Sequence, residues 1–337
     1  MRSSASVVLL AAASLLGVST ASAHHSVAFY SNEIHEIEGE IMEVAWQNPH
    51  VTLTVRSAVG RDAGKLWLLE SSSIFLRQRD GVTRDLFRIG DRVKVAGRRS
   101  PRDDSALLGL NMLLPDGREA LLWPEQPARF APADKLIRGS GQAVDAAAEK
   151  KGIFRVWLPP VGQASPYADL SFRDTAIAAR RSFDVLAFAR SCEPEGMPRI
   201  AVSIFPYEFV DRGREILLRT ELYDTERTIH MDRAAPLAGQ PHSKLGYSVG
   251  EWRDAELIVT TTLVNWRYFD NIGTPQSDDV RIVERFMLSA DQSRLDVEIT
   301  VVDPATFTAP AVLKTYWQAY AGDINRYDCQ ADTQPAD

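Results

Sequence analysis

Residues 295–301 read Leu295-Asp296-Val297-Glu298-Ile299-Thr300-Val301, and apolar and polar side chains alternate along the whole stretch. Because successive side chains of a β-strand point to opposite faces of a sheet, this pattern predicts a strand with one buried face. Further strand-like stretches lie close by with turn residues between them, at residues 215–223, 226–231, 247–252, 256–264, 280–288 and 311–320. Strands at this spacing favour an antiparallel meander. We therefore expect a lipocalin-like antiparallel β-barrel over residues 198–322, since closure removes exposed strand edges.

A second group of strands precedes this region. Residues 51–55, 93–95 and 108–114 also carry apolar side chains at every second position. Residues 72–76, between the first and second of these stretches, read as a short helix with serine caps. Two or three strands, a helix and about three more strands is the order of an OB-type barrel. The pattern predicts a mainly β protein whose residues 24–123 form an OB-like small barrel.

The remaining segments have less regular patterns. We expect residues 124–197 to be a connecting region with short helices, and residues 323–337 to be a polar C-terminal tail. The chain has two cysteines, Cys192 and Cys329. In an oxidising compartment they can form a disulfide, and the alternative is two free buried thiols.

The first 23 residues have the features of a secretory signal peptide. Arg2 is followed by an apolar run over residues 7–18 and by Ala21-Ser22-Ala23, which fits cleavage after Ala23. The apolar run is shorter than the ~20 residues that span a bilayer. We expect a periplasmic or secreted protein with no transmembrane segment in its mature chain.

Composition and motifs exclude several classes of function. The formal net charge is −7, which argues against nucleic acid as a partner, because such affinity comes largely from neutralising phosphates. The sequence lacks the G-x-S-x-G, H-E-x-x-H, C-x-x-C, phosphate-loop and dinucleotide-binding patterns. The oligomeric state does not follow from the sequence.

Histidines near the N-terminus form one candidate site. Cleavage after Ala23 would give His24 a free amine beside its imidazole, and this pair favours copper. His25 and His50 are further candidate ligands, with His35 in reserve. The alternative is a solvated leader without a metal.

The C-terminal barrel forms the other candidate site. Its candidate ligand-binding residues are Trp252, Trp266, Arg227, Glu284 and Arg285, because barrel mouths with apolar walls and a few polar groups hold small molecules. The leading interpretation is a binding protein for a small apolar or amphipathic molecule. Its competitor is an enzyme of isomerase, hydratase or lyase type, which would use His230, Glu284 or Glu298 as acid or base. In both cases the partner is a small-molecule ligand or substrate. A third possibility is that these charges face solvent.

Three motifs resemble an uncharacterised family of exported bacterial proteins, DUF6152. They are His24-His25-Ser26, Trp46-Gln47-Asn48-Pro49-His50 and Gly90-Asp91-Arg92-Val93-Lys94-Val95-Ala96-Gly97. The resemblance covers residues 24–123, and the later half is similar to a β-rich segment common in uncharacterised exported proteins. The resemblance implies an exported protein and supplies no reaction.

Overall fold

The computed structural model describes residues 30–100, 103–124, 126–139, 152–160, 165–167, 169–184, 188, 191–232 and 239–329. The protein is mainly β, with a closed five-stranded barrel in its N-terminal region and a closed nine-stranded barrel C-terminally. This confirms the predicted fold class. The predicted signal peptide and the candidate ligands His24 and His25 lie outside the described residues.

The N-terminal barrel has the OB order of elements. They are β1 (Ile34–Ala45), β2 (Thr52–Ser57), β3 (Leu66–Glu70), α1 (Ile74–Arg79), β4 (Arg92–Arg99), β5 (Ala106–Leu113) and the added strand β6 (Glu119–Leu121). Strand β1 pairs with β2 and β4, and the parallel pairing of β3 with β5 closes the barrel. Helix α1 lies between the third and fourth strands, where the sequence predicts it.

Local sequence explains these elements. Leu53 and Val55 are almost fully buried while Thr54 between them is not, so the two-residue alternation of β2 fills the barrel core. The Ser73 hydroxyl accepts a hydrogen bond from the Leu76 backbone N–H and caps α1. Strands β4 and β5 approach closely at Gly97, where a Cβ would lie 2.6 Å from the Leu108 carbonyl oxygen.

The C-terminal barrel consists of nine strands. They are β7 (Val156–Leu158), β8 (Tyr207–Asp211), β9 (Glu215–Thr220), β10 (Thr225–His230), β11 (Tyr247–Arg253), β12 (Glu256–Thr262), β13 (Arg281–Leu288), β14 (Arg294–Val302) and β15 (Ala311–Ala319). Neighbouring strands pair antiparallel except β10 and β11, whose short pairing is parallel. Strand β7 and helix α2 (Asp174–Ala179) come from the segment expected to connect the two barrels, and β7 completes the closure between β15 and β8.

Aromatic side chains fill the middle of this barrel. The rings of Tyr207 and Trp317 stack with their centroids 4.1 Å apart, and Phe209 meets Phe286 edge-on at 5.1 Å. All four side chains are almost fully buried. This part of the interior is therefore a packed core, as in other small barrels whose side chains fill the lumen.

The two ends of the barrel differ. The hairpin end carries the tight turns β8–β9, β11–β12 and β13–β14. The loop end carries the long connections around residues 159–206, 263–280 and 303–310. Helix α1 of the OB barrel packs at the loop end, where Phe75 and Phe205 lie 5.8 Å apart. None of the helices in the described ranges is long and apolar enough to cross a membrane.

Candidate functional site

A groove of about 490 Å³ opens at the hairpin end of the C-terminal barrel. It lies where strands β8 to β11 end or turn. Its lining residues are Phe154, Asp211, Gly213, Ile216, Met231, Glu251 and Trp252. A barrel mouth of this size, lined by apolar side chains together with polar groups, is a usual site for a small molecule.

Trp252 forms the exposed wall of the groove. In β11 the residues Ser248 and Gly250 are buried, and Trp252 continues the same alternation beyond the point where the barrel opens. The indole is 43% exposed and meets the Phe154 ring edge-on at 6.5 Å. Ser248, Gly250 and Trp252 therefore share the inward face of β11, and Trp252 lies over the open end of the barrel.

Met231 lies against the same strand. A Cβ at Gly250 would lie 2.6 Å from the Met231 sulfur, so the glycine leaves the space that the thioether occupies. Ile216 is almost fully buried below. An indole, a phenyl ring, a thioether and an aliphatic side chain give the groove an adaptable apolar floor.

Two carboxylates lie at the rim. Asp211 accepts a hydrogen bond from the Gly213 backbone N–H at 2.8 Å, and Glu251 forms an ion pair with the exposed Arg253. These groups make the rim polar and favour a neutral or cationic group on any ligand.

Arg227 and Glu284, two of the predicted ligand-binding residues, lie inside the barrel. They form a two-point ion pair, with Nη1 to Oε2 at 2.7 Å and Nη2 to Oε1 at 3.0 Å. The side chains are 5% and 0% exposed, and the Met197 sulfur lies 3.0 Å from Arg227 Nη1. The two side chains bind each other inside the barrel, away from the groove.

The other predicted residues are dispersed. Arg285 pairs with Glu256 and Glu298 pairs with Lys314, both on the outer face, while Trp266 is buried at the loop end. Among the five predicted ligand-binding residues, Trp252 is the one that lines the groove in the described part of the chain.

The predicted acid–base residues do not come together. His230 Nδ1 lies 3.1 Å from Glu215, and its ring stacks on Tyr247 at 4.6 Å. Glu284 is closed inside the barrel, and Glu298 is on the opposite face from it. Within the described residues, these three candidates form no shared catalytic arrangement.

The described part of the proposed metal site is held by hydrogen bonds. His50 Nδ1 lies 2.9 Å from Glu70 Oε1, and the Tyr30 hydroxyl donates to Glu70 Oε2 at 3.0 Å. His35 lies beside Asp62, and its pKa is lowered by burial and then by Arg99.

The predicted copper site combines His50 with His24 and His25. Among the described residues, no three His, Cys, Asp or Glu side chains are placed to hold one metal ion. His24 and His25 are outside that range, so the copper prediction stays a prediction.

A second groove, of about 410 Å³, lies at the loop end beside Phe183, Phe188 and Tyr268. These three rings pack on one another at centroid distances of 4.8–6.0 Å. These rings cover part of one another's apolar surface. At the hairpin-end groove, by contrast, Trp252 is 43% exposed. We therefore regard the hairpin-end groove as the stronger candidate site.

Sequence reasoning missed most of the groove. Phe154, Met231, Asp211 and Ile216 stand in four separate segments, and pairwise alternation in each strand gives no information on which strand ends meet. Trp252 could be identified from the sequence, because it is an aromatic residue near a turn and lies on the same face of its strand as the inward-facing residues.

Comparison with known proteins found a family model that matches the N-terminal part of the chain. Residues 12–110 match the model of a family of unknown function, DUF6152, which confirms the resemblance. The match covers the OB barrel as far as β5 and leaves the C-terminal barrel outside it. No curated protein matched the chain.

Proposed function

We propose that this chain is an exported binding protein that holds a small apolar or amphipathic molecule in the hairpin-end groove of its C-terminal barrel. The observation that carries the proposal is the half-exposed Trp252 over an apolar floor at the barrel mouth. Export is supported by the signal-like N-terminus and by a bridge between Cys192 and Cys329, since disulfides persist mainly in oxidising compartments.

Covering the indole supplies part of the binding energy. Removing the exposed fraction of Trp252 from water is worth about 2–3 kcal/mol at ~25 cal/mol per Å². Further apolar area on Phe154 and Met231 adds to this and offsets the cost of immobilising the ligand. The groove volume lies in the range typical of small-molecule sites.

The charge of the groove rim determines which polar head group a ligand can carry. Because Asp211 and Glu251 are acidic, an anionic head group would be repelled, and a neutral or cationic one would be accepted. We do not propose a reaction, because none of the three candidate acid–base residues lines the groove in the described structure.

Replacing Trp252 with alanine is expected to weaken ligand binding at least tenfold, about 1.4 kcal/mol. The test is calorimetric titration of the full chain, below micelle-forming concentrations, with three amphiphiles that share a ten-carbon tail: decyltrimethylammonium, decyl maltoside and decyl sulfate. We expect decyl sulfate to bind most weakly.

Met287→Ala is the matched control, because Met287 is also an exposed large apolar side chain but lies on the outer face of β13. It should bind as the native protein does. Equal affinity of the native protein and the Trp252→Ala variant, or no binding of any of the three amphiphiles, would contradict the proposal.

We also propose copper binding by the mature N-terminus with His50 as partner. The contact of His50 Nδ1 with Glu70 fixes the imidazole ring, an arrangement common behind metal-bound histidines. Tyr30 is tied to the same carboxylate. Tyr30 lies six positions after His24, and an extended chain of that length reaches about 20 Å.

Adding one alanine before His24 of the mature chain is expected to weaken copper binding at least tenfold, because the extension moves the free amine off His24 and leaves every side chain intact. Affinity is measured by competition with a chelator at pH 7, and it should fall in acid as the amine takes up its proton. Equal copper affinity with and without the extension would exclude the site.

A further inference from the structure

Residues 323–329, called here the C-terminal strap, cross the loop end of the C-terminal barrel. Tyr327 is the anchor of the strap: it is 3% exposed, and its ring lies 5.4 Å from Phe205 and 5.1 Å from Tyr223. The strap therefore covers apolar surface that the barrel strands leave uncovered.

Hydrogen bonds join the strap to both barrels. The Tyr327 backbone N–H donates to Asp224 Oδ1 at 2.9 Å, and the Asn325 backbone N–H donates to Glu221 Oε2 at 3.3 Å. On the other side, the buried Asn48 amide of the OB barrel donates to the Tyr327 carbonyl at 2.6 Å.

Asn48 links this junction to helix α1. Its side-chain oxygen accepts a hydrogen bond from the Ile74 backbone N–H at 3.2 Å, next to the start of the helix. One buried amide thus connects the strap with the OB barrel.

The disulfide fastens the strap to a second segment of the loop end. Cys329 is bonded to Cys192, with their Cα atoms 5.9 Å apart, and both residues are only half-buried. Beyond Cys192 the chain carries Glu195, which is buried beside Arg199 at 3.5 Å. The bond therefore joins the strap, which packs on Tyr223, to the segment that carries this ion pair.

The barrel itself does not depend on the strap for closure. Its nine strands form a complete ladder, and in the described structure the strap contributes a single isolated bridge, between Cys329 and Asn48 of the other barrel. Without the disulfide, the described part of the strap keeps the hydrogen bonds named above, the bridge to Asn48 and one buried ring. Segments with so few contacts open at far lower free energy than the strands of a core.

We propose that the strap is a disulfide-latched lid, which thiol–disulfide exchange releases while both barrels stay folded. A dithiol attacks the accessible Cys192–Cys329 bond; the bond breaks, two cysteine thiols form, and the dithiol is oxidised to its own disulfide. Detachment uncovers Tyr223 and removes the Asn48 link between the strap and the OB barrel. This inference is independent of the ligand groove, which lies at the opposite end.

The test compares hydrogen exchange of the full chain before and after reduction by dithiothreitol under native conditions, read by mass spectrometry of peptides. We expect the amides of Asn325 and Tyr327 to exchange at least tenfold faster after reduction. Peptides from β12, β13 and β14 should keep their oxidised-state rates.

The double variant Cys192→Ser/Cys329→Ser is the matched control, and it should show the fast strap exchange without reductant and no further change with it. The reduced native chain provides the same comparison if the double variant does not fold. The proposal is overturned if strap exchange is unchanged by reduction, if the native bond resists dithiothreitol, or if β12–β14 accelerate together with the strap.

Discussion

Replacing Glu284 with alanine is expected to lower the free energy of unfolding by about 3–5 kcal/mol, because Arg227 would remain buried as an uncompensated charge. Both side chains are enclosed by the C-terminal barrel, and the two Glu284 carboxylate oxygens accept hydrogen bonds from the two Nη atoms of Arg227. The measurement is urea unfolding of the native and variant chains, followed by circular dichroism at constant pH.

Two further variants separate the buried charge from general disturbance. Arg227→Met combined with Glu284→Leu removes both charges and should recover most of the lost stability, because a buried ion pair can be replaced by apolar residues at little cost. Glu298→Ala on the outer face should cost less than about 1 kcal/mol, as for exposed ion pairs. A Glu284→Ala loss no larger than that of Glu298→Ala would show that the pair is not buried.

Replacing Glu221 with glutamine is expected to stabilise the chain by about 3 kcal/mol at pH 8 and to leave it almost unchanged near pH 4. Burial raises the pKa of the Glu221 carboxyl from 4.5 to about 7, with the Asn325 N–H opposing the shift and Asp224 adding to it. Between those two values the folded chain holds a proton that the unfolded chain has lost. Its contribution to stability is therefore complete below pH 4.5 and lost as the pH rises through 7.

Unfolding measured from pH 4 to pH 8 checks this dependence. The native chain should lose stability between pH 4.5 and 7 relative to the Glu221→Gln variant. Glu226→Gln, an exposed change on the neighbouring strand β10, should follow the native curve within about 0.5 kcal/mol. Parallel curves for the native chain and Glu221→Gln would refute the raised pKa.

Much of the fold could be predicted from the sequence because both barrels are built from half-buried strands. Residues 51–55 and 295–301 alternate clearly, and the short helix at residues 72–76 separates two strand groups in the order that an OB barrel requires. Strand β7 could not be predicted as part of the barrel, because three residues carry almost no periodicity and its partners β8 and β15 lie far away in the chain.

The faces of the charged residues were harder to assign. Glu284 and Arg285 are neighbours, so one must point inward and the other outward. The buried Ile282 and Phe286 place Glu284 on the inner face, a signal that was present in the sequence. Its partner Arg227 depends on a contact across the barrel, which no local pattern encodes.

A crystal structure of the full chain with decyl maltoside would show whether the hairpin-end groove is the binding site. We predict electron density for the alkyl tail between Trp252 and Phe154, in contact with Met231, and the sugar at the rim near Asp211. Density confined to the loop-end groove beside Phe183 and Tyr268, or an empty hairpin-end groove at a ligand concentration that saturates the protein in solution, would rule out the hairpin-end groove as the binding site.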